Sequence, residues 1–375
     1  MFRKGARALT LVLSLALAAC QSAGTDALED VAAGPRMAAE TLGDGPTAVA
    51  LLLPRSASGA AGRHARDVRD AAALALDDLG AGKLTITIHD TGAGAGGIAG
   101  LAEQLAAAKL ILGPMGPQAV SALTALSGRP AALAFGNNGG PRGEGVFVLE
   151  TDAVESALEA ARASAAAGHK SFAAIVPQAF PQADRTRLSK GLEAAGVPSI
   201  EFVAYSEAGL AAELAAKREQ LVKADGVIVF GEGGSPASIA SALRKTASLG
   251  PKAVLIGNLS WAAENFSRPE LEGALVAMPD QSALALVADR YRAKTGRALS
   301  LQAAYGYDAV AVAAGIVRAL GPEALTQATL TKPSGFRGAT GTFRFRPDGS
   351  VERQLALYQI RNKSLQLLDA APEGF

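Results

Sequence analysis

The sequence predicts an α/β protein of two doubly wound lobes with mainly parallel central sheets, joined by a hinge and followed by an antiparallel hairpin. From Thr47 onward, short runs rich in Val, Ile and Leu alternate with Ala- and Leu-rich runs of helical length. Most of the short runs are continuously apolar, which is typical of parallel strands covered by helices on both faces. Because about nine parallel strands are too many for an ordinary single sheet, we expect two lobes of four to six strands each.

The expected strands follow one another along the chain. They are the runs TAVALLL, LTITIHD, LILG, AALAF, FAAIV, EFVAY, GVIVF, AVLIG and ALVAM. Between the strands, Asp67–Leu79 predicts an amphipathic helix, because its apolar residues recur on one face. Asp152 and Glu155 predict a capping box at another helix start, and Ser235-Pro236 predicts a third. Near the C-terminus, two alternating runs flank Pro347-Asp348-Gly349, which predicts a β-hairpin.

The N-terminus predicts export and lipid anchoring. Residues 1–19 combine three basic residues with an apolar run that is too short to span a bilayer, which indicates a signal peptide. The stretch Leu17–Cys20 resembles the lipobox of bacterial lipoproteins, and the resemblance implies that Cys20 is lipidated and becomes the new N-terminus. An ordinary signal peptide followed by an incidental Cys is the alternative. Because Cys20 is the only Cys, an intrachain disulfide and a Cys-based metal site are excluded.

The residues after Cys20 indicate where the protein is held and which partners suit it. In lipoproteins that this chain resembles, an Asp after the Cys retains the protein at the inner membrane, so Gln21 implies a periplasmic protein on the outer membrane, where the host has one. Residues 20–46 lack a strong apolar period and predict a flexible tether. Loss of the three basic residues in 1–19 leaves 33 of 36 basic residues against 35 acidic ones, a balance that argues against nucleic acid as a partner.

A glycine-rich turn after the second strand has the spacing of a dinucleotide-binding loop. Gly92, Gly94 and Gly97 fit the pattern G-x-G-x-x-G. The turn follows the second strand instead of the first, and the next strand ends in Gly113-Pro114 with no acidic residue to hold a ribose. We therefore interpret the glycines as a structural strand-to-helix turn and expect no cofactor.

The sequence favours a binding protein over an enzyme. It contains none of the patterns G-x-x-x-x-G-K-[ST], H-E-x-x-H, G-x-S-x-G or S-x-x-K. The three histidines, His64, His89 and His169, are far apart in the sequence, so we expect no metal site. Asp77 and Asp78 are adjacent on a predicted helix and point in different directions, which indicates a solvated face instead of a catalytic pair. We expect no catalytic residues.

The order of segments resembles the type I periplasmic binding-protein family, specifically its leucine/isoleucine/valine-binding branch. The matching segments, in chain order, are VALLLPRSASGAAGRHARDVRDAAALAL, HDTGAGAGGIAGLAEQLAAAKLILGPMGPQAV, AALAFGNN, HKSFAAIVPQAFPQADRTRLSKGLEAAG, AYGYDAVAVAAG and FRGATGTFRFRPDGSVERQLALYQI. Members of this family have two lobes joined by three crossovers. The resemblance implies a first lobe of residues 47–150 and 281–335, and a second lobe of residues 151–280 and 336–375.

A ligand is expected between the lobes, because open α/β sheets bind ligands beyond the carboxyl ends of their strands. The loops that follow the strands contain Ser56, Ser58, Asn137 and Asn138 in the first lobe, and Phe180, Glu232 and Asn258 in the second. Serine hydroxyls at a helix start can hold a carboxylate, asparagine amides both donate and accept, and an aromatic ring can stack on an apolar group. Structural roles, such as a helix cap for Ser58 and turn formation for Asn137-Asn138, are the alternatives.

The candidate loops differ from those of family members that bind amino acids. Those members carry Ser and Thr in the loops that match Gly116-Pro117 and Gly136-Asn137-Asn138, and an acidic residue near Asn258. In this chain Glu232 is the nearest alternative anion. The differences count against a free amino acid as the ligand, although not against an apolar or neutral one.

The resemblance implies two functions. The first is a lipid-anchored solute-binding protein that delivers a small polar or amino-acid-like molecule to an ABC permease. The second is an outer-membrane lipoprotein that activates a penicillin-binding protein, a peptidoglycan synthase, by protein contact, since related lipoproteins use the same fold in this way. Gln21 and the altered loops favour the second function, and retention of two hinged lobes favours the first.

Overall fold

The structure consists of two β-sheets with helices on their faces and a third, small sheet. The computed structural model describes residues 36–92, 94–231, 235–263 and 266–375. The expected signal peptide, Cys20 and Glu232 lie outside the described residues. The predicted α/β class with two mainly parallel sheets is confirmed.

The strands and helices occur in the following ranges. The strands are β1 Glu40–Leu42, β2 Thr47–Leu53, β3 Leu84–Asp90, β4 Leu110–Met115, β5 Ala132–Asn137, β6 Val146–Glu150, β7 Phe172–Pro177, β8 Ile200–Tyr205, β9 Gly226–Val229, β10 Val254–Ile256, β11 Leu275–Met278, β12 Phe336–Gly338, β13 Gly341–Phe345, β14 Val351–Arg353, β15 Ala356–Arg361 and β16 Ser364–Asp369. The helices are α1 Gly59–Ala75, α2 Gly94–Ala99, α3 Ala102–Ala106, α4 Pro117–Thr124, α5 Ala153–Ala166, α6 Gln182–Glu193, α7 Leu210–Ala216, α8 Arg218–Leu221, α9 Ser235–Lys245, α10 Gln281–Thr295, α11 Leu301–Leu320 and α12 Gln327–Leu330.

Each lobe is built on one sheet. The first sheet has the order β1-β3-β2-β4-β5-β6, and all its neighbours are parallel except β1, which pairs antiparallel with β3. The second has the order β16-β15-β11-β10-β9-β7-β8, with β15 and β16 antiparallel. Strand β4 is buried at every residue, which explains why its sequence is apolar without alternation.

Helix α11 is the central helix of the first lobe. It packs along α1, and Gly306 permits the close approach, because a Cβ at this position would lie 2.8 Å from Val68 Cγ1. Among the described helices, α11 alone is long and apolar enough to cross a membrane, but 72% of its most apolar window is buried inside the protein. It is therefore a core helix.

The C-terminal hairpin is confirmed, but it packs differently from the expected division of the chain. Strands β12, β13 and β14 form an antiparallel sheet. Phe343 and Phe345 of β13 are buried in the core of the first lobe, where the rings of Phe345 and Phe147 are 5.6 Å apart. Residues 336–353 thus pack on the first lobe, whereas the sequence placed 336–375 in the second. Only β15 and β16 join the second sheet, because the apolar face of β13 is directed to the first core.

Residues 36–46 are more ordered than the tether expected for residues 20–46. The Met37 N–H donates to Asp90 Oδ2 over 2.8 Å, and Arg36 donates to the Gly97 carbonyl over 2.9 Å. Strand β1 then pairs with β3. The prediction of a flexible segment is therefore wrong for this part, because a three-residue strand held by backbone pairing needs no apolar period.

A buried arginine holds the chain where it passes between the lobes. The Arg353 side chain is 1% exposed. Its Nε donates to Thr151 Oγ1 over 3.1 Å, and its Nη2 donates to the Leu149 carbonyl over 2.8 Å. Its Nη1 donates to the Thr340 hydroxyl and lies 4.0 Å from Asp308 Oδ2. Arg353 lies where the chain passes from β14 of the first lobe to β15 of the second, so it joins this last crossover to the first one, at residues 149–152, and to the core helix α11.

Glu150 is the last residue of β6 and begins the first crossover. It lies close enough to Arg353 to be affected by its charge. Burial raises the pKa of Glu150 to about 7, and the positive charge of Arg353 opposes that rise. Next to it, the Thr151 N–H donates to the Tyr305 hydroxyl over 3.2 Å, and the Arg353 guanidinium lies 5.2 Å from the Tyr305 ring centroid. Burial raises the pKa of Tyr305 to about 12, so this phenol stays neutral.

We expect Arg353→Met to lower the free energy of unfolding by about 3–5 kcal/mol, because removal of one partner leaves buried Asp308 without its countercharge. Urea denaturation followed by circular dichroism measures the loss. Arg361→Ala is the control, since Arg361 is exposed in the second lobe, and it should change stability by about 0.5 kcal/mol or less. Equal losses of unfolding free energy in the two variants would contradict the role assigned to Arg353 in joining the crossovers.

We expect Glu150→Gln to reduce the loss of stability that the protein shows as pH rises from about 5 to 8. The folded-state pKa of Glu150 is raised, so between about pH 4.5 and 7 the folded chain keeps a proton that the unfolded chain has released, and stability falls with rising pH in that window. One pKa unit corresponds to about 1.4 kcal/mol, so the difference between wild type and variant should be about 1–3 kcal/mol. Exposed Glu193→Gln is the matched control, and a slope in Glu150→Gln equal to that of the control would refute the assignment.

Candidate ligand-binding site

A cavity of about 920 Å³ lies between the two lobes. The first lobe contributes residues of α1, of the loops after β4 and β5, and the end of β6, and the second contributes the start of α5 and residues of α6. The cavity is large enough for a small molecule. Its polar and charged lining residues are Ser58, His64, Asn137, Glu150, Asp152, Asp184, Arg187 and Gln302.

Three helices begin at the cavity. Gly59 of α1, Pro117 of α4 and Ala153 of α5 all line it. The first N–H groups of a helix have no intrahelical partner and carry the positive end of its dipole, so they favour an anionic group. Ser58 precedes α1 without capping it by a side-chain hydrogen bond. The start of α1 therefore offers a hydroxyl and backbone N–H groups to a carboxylate.

The charged groups of the cavity leave an excess of acid. Arg187 Nη2 lies 2.7 Å from Asp152 Oδ2, and its Nη1 lies 3.0 Å from Asp184 Oδ1. Burial lowers the pKa of Arg187, but the two carboxylates outweigh this effect and raise it, so the guanidinium stays charged and paired. Among the described residues, no basic side chain forms a salt bridge with Glu150. It is the residue in the lining best placed to contact a cation or a hydrogen-bond donor of a ligand.

One wall of the cavity is apolar. Phe180 packs against Phe230 with ring centroids 4.7 Å apart and an angle of 49° between the rings. Met115, Val120 and Phe135 of the first lobe also line the space. An apolar portion of a ligand would be placed here, with its polar portion toward the helix N-termini.

Three of the residues predicted from the sequence line the cavity, namely Ser58, Asn137 and Phe180. Ser56 lies outside the lining, and its N–H donates to Asp90 Oδ1 over 3.2 Å. Glu232 lies outside the described residues.

The other two predicted residues are engaged within the protein. Asn138 pairs with both the N–H and the carbonyl of Val351, at 2.9 and 2.7 Å, and also donates to Glu155 on α5. Asn258 is fully buried, donates to the Val229 carbonyl over 2.9 Å, and accepts from the N–H and the hydroxyl of Ser260. Asn138 therefore bridges the lobes, and Asn258 organises the loop after β10.

Several lining residues were not predicted from the sequence. Glu150 and Asp152 lie in the first crossover, so the predicted position of that crossover was the signal that could have identified them. Asp184 and Arg187 are three residues apart on α6, which is also the spacing of an ordinary ion pair on a helix surface. The sequence alone does not distinguish such a surface pair from a pair that lines a cavity. His64 and Gln302 belong to helices whose N-terminal turns reach the cavity only in the tertiary structure.

The glycine-rich turn is organised by Asp90. Its carboxylate accepts hydrogen bonds from the N–H groups of Met37, Ser56 and Gly92. Burial acts to raise the pKa of Asp90, but these hydrogen bonds together outweigh it and the pKa is lowered. The carboxylate of Asp90 thus fixes the start of the turn and joins it to the segments that contain Met37 and Ser56. Within the described residues, no three His, Cys, Asp or Glu side chains form a group that could hold a metal ion.

Solved structures with the same fold include transport and regulatory proteins. A protein from Rhodospirillum rubrum assigned to branched-chain amino acid ABC transport has a TM-score of 0.71 and 20% identity, covering 86% of this chain and 99% of that one. An ABC transporter substrate-binding protein from Desulfitobacterium hafniense, in complex with Leu, has a TM-score of 0.60 and 17% identity over 86% and 99%. The C-domain of LpoA from Haemophilus influenzae, a regulator of PBP1A, has a TM-score of 0.66 and 16% identity over 86% and 100%.

The family follows from the sequence match. A search of curated proteins found no significant match. The solved structures share 20% identity or less with the chain, so they show the fold alone. A family model described as periplasmic binding protein matches residues 46–364, most of the chain. The chain therefore belongs to the periplasmic binding protein family.

Proposed function

We propose that the protein is a lipid-anchored, extracytoplasmic solute-binding protein of the ABC-transporter type. The observation that carries this proposal is the 920 Å³ cavity lined by both lobes, because a ligand enclosed there contacts both halves and can stabilise a closed form. Family membership supports an extracytoplasmic location and a binding role without catalysis. An ABC permease would be the partner that receives the ligand.

The cavity suits a small polar or amino-acid-like ligand. The start of α1, with Ser58, would hold a carboxylate, and Asn137 would donate or accept beside it. Glu150 would take an ammonium or a neutral donor, and Phe180 would cover an apolar group. This arrangement differs from the expectation that Glu232 supplies the anion. The absence of an acidic residue at Asn258 counted against an amino-acid ligand, and Glu150 would supply the missing carboxylate.

A second function is supported by the similarity to the LpoA C-domain, a regulator of PBP1A. In this alternative the protein activates a penicillin-binding protein, a peptidoglycan synthase, through its surface. The direct bridge from Asn138 to Glu155 between the lobes suits a body that keeps one shape. Burial raises the pKa of Glu155 to about 7, and the negative charge of nearby Asp152 adds a smaller rise. The amide of Asn138 can bind Glu155 in either protonation state.

The membrane anchor is proposed from the sequence. Cys20 would carry the lipid, and Gln21 favours the outer membrane where the host has one. The described residues begin at Arg36, so residues 22–35 lie between Gln21 and the lobes.

We expect Cys20→Ser to move the protein from the membrane fraction to the soluble fraction, or to leave it unprocessed, because the thiol is the proposed site of lipid attachment. Cell fractionation and intact-mass spectrometry measure both outcomes. Ser22→Ala, which changes a nearby residue and leaves the thiol, is the control. A Cys20→Ser protein that is still lipidated and membrane-bound would disprove the anchor.

We expect a thermal-shift screen of amino acids and small carboxylates to find at least one stabilising ligand. A ligand at a hundredfold excess over its Kd adds about 2.7 kcal/mol of stability. Ser58→Ala and Asn137→Ala should each weaken that ligand severalfold, because each removes a hydrogen-bonding group worth about 1 kcal/mol. Ser199→Ala, exposed in the second lobe, should leave the affinity unchanged.

Two outcomes would change the proposal. If both substitutions leave the affinity of a confirmed ligand unchanged, the ligand does not occupy the cavity as described. If no compound stabilises the protein and it captures a peptidoglycan synthase from a membrane extract, the transport function fails and the regulatory function is supported.

A further inference from the structure

A second concavity, of about 360 Å³, lies on the first lobe between α11 and β12. It shares no lining residue with the cavity between the lobes. Its lining consists of Leu79, Ala311, Val312, Gly315, Ile316, Arg318, Ala319, Leu320, Thr329, Lys332, Gly335, Phe336 and Arg337. We refer to this concavity as the α11 groove.

The floor of the α11 groove is apolar and open. Ala311, Gly315 and Ala319 recur at every fourth residue of α11, so they form one stripe of small side chains. A Cβ at Gly315 would meet no atom within 4 Å, which shows that the space above the stripe is empty among the described residues. At the end of the groove Leu320 is 54% exposed. An apolar segment about one side chain wide would fit above the stripe.

The charged residues of the α11 groove are all basic. Arg318, Lys332 and Arg337 line it, and its lining contains no acidic residue. Within the described part of the chain, none of the three forms a salt bridge. Arg337 acts only at longer range on Asp280, whose pKa it helps to lower. The three cations are therefore available to a negatively charged group.

We propose that the α11 groove binds a single-chain anionic amphiphile, such as a fatty-acid carboxylate. The acyl chain would lie along the stripe of Ala311, Gly315 and Ala319, and the carboxylate would be held by Lys332, Arg337 and Arg318. Size favours this ligand over a protein helix: the groove has the volume of a small-molecule site, whereas a stable protein contact buries about 800 Å² on each side. The inference is independent of the function proposed for the cavity between the lobes.

The test uses dodecanoate, kept below its micelle concentration, titrated into the purified protein by isothermal calorimetry. We expect saturable binding of one dodecanoate, and no binding of dodecyltrimethylammonium, which has the same chain and the opposite charge. Gly315→Leu should abolish binding, because its side chain would fill the open space above the stripe. The double substitution Lys332→Gln with Arg337→Gln should weaken binding about tenfold, as expected for the loss of two exposed ionic contacts.

Controls distinguish binding in the α11 groove from nonspecific attraction to exposed positive charge. Lys252→Gln removes an exposed positive charge from the second lobe and should leave the Kd unchanged. Where Gly315→Leu fails to fold, the double glutamine variant carries the test. The proposal is overturned by equal binding of the cationic amphiphile, by unchanged binding in the double variant, by binding only to lipid vesicles, or by an acidic helical peptide that binds where dodecanoate does not.

Discussion

The buried guanidinium of Arg353 is the interaction on which the relation between the lobes depends. Arg353 lies at the last crossover, between β14 and β15, and it reaches the first crossover through Leu149 and Thr151. It also donates to Thr340 within the first lobe. Burying a charge is costly unless it is paired and hydrogen-bonded. Here Asp308 supplies the countercharge, and backbone and hydroxyl groups occupy the remaining donors. The crossovers are consequently held in one arrangement, although each is only a few residues long.

The same arrangement places acidic groups at the cavity. Glu150 and Asp152 flank Thr151, whose hydroxyl accepts a hydrogen bond from Arg353. Because Arg353 fixes Thr151, it also fixes the two flanking residues, which line the space between the lobes. Asp152 also accepts from the Glu155 N–H over 2.9 Å and caps α5. The cavity thus combines the starts of α1 and α4, which no side chain caps, with carboxylates from a crossover. Such a combination is suited to a ligand that carries both a negative and a positive or donating group.

Helix α11 contributes to three features of the structure. Gln302, in its first turn, lines the cavity between the lobes. Asp308, in its middle, accepts hydrogen bonds from the N–H groups of Ala339 and Thr340 and so holds the turn between β12 and β13. Gly338 permits this contact, because a Cβ there would lie 2.3 Å from Asp308 Oδ1. Its last turns form the floor of the α11 groove. A change in the packing of α11 would therefore act on the cavity, the small C-terminal sheet and the α11 groove together.

By itself the sequence determined the α/β class, nine of the strands in the two main sheets and the final hairpin, because continuous apolar runs and turn residues act locally. It did not reveal β6, whose five residues follow a glycine-rich loop, or β1, which is defined only by pairing with β3. It also missed β12 and β16 near the C-terminus. Only the tertiary structure decided that Asn138 and Asn258 bind within the protein while Glu150 faces the cavity. The physical reason is that a polar side chain after a strand can bind either a ligand or a distant backbone group, and which of the two it meets depends on contacts between residues far apart in the chain.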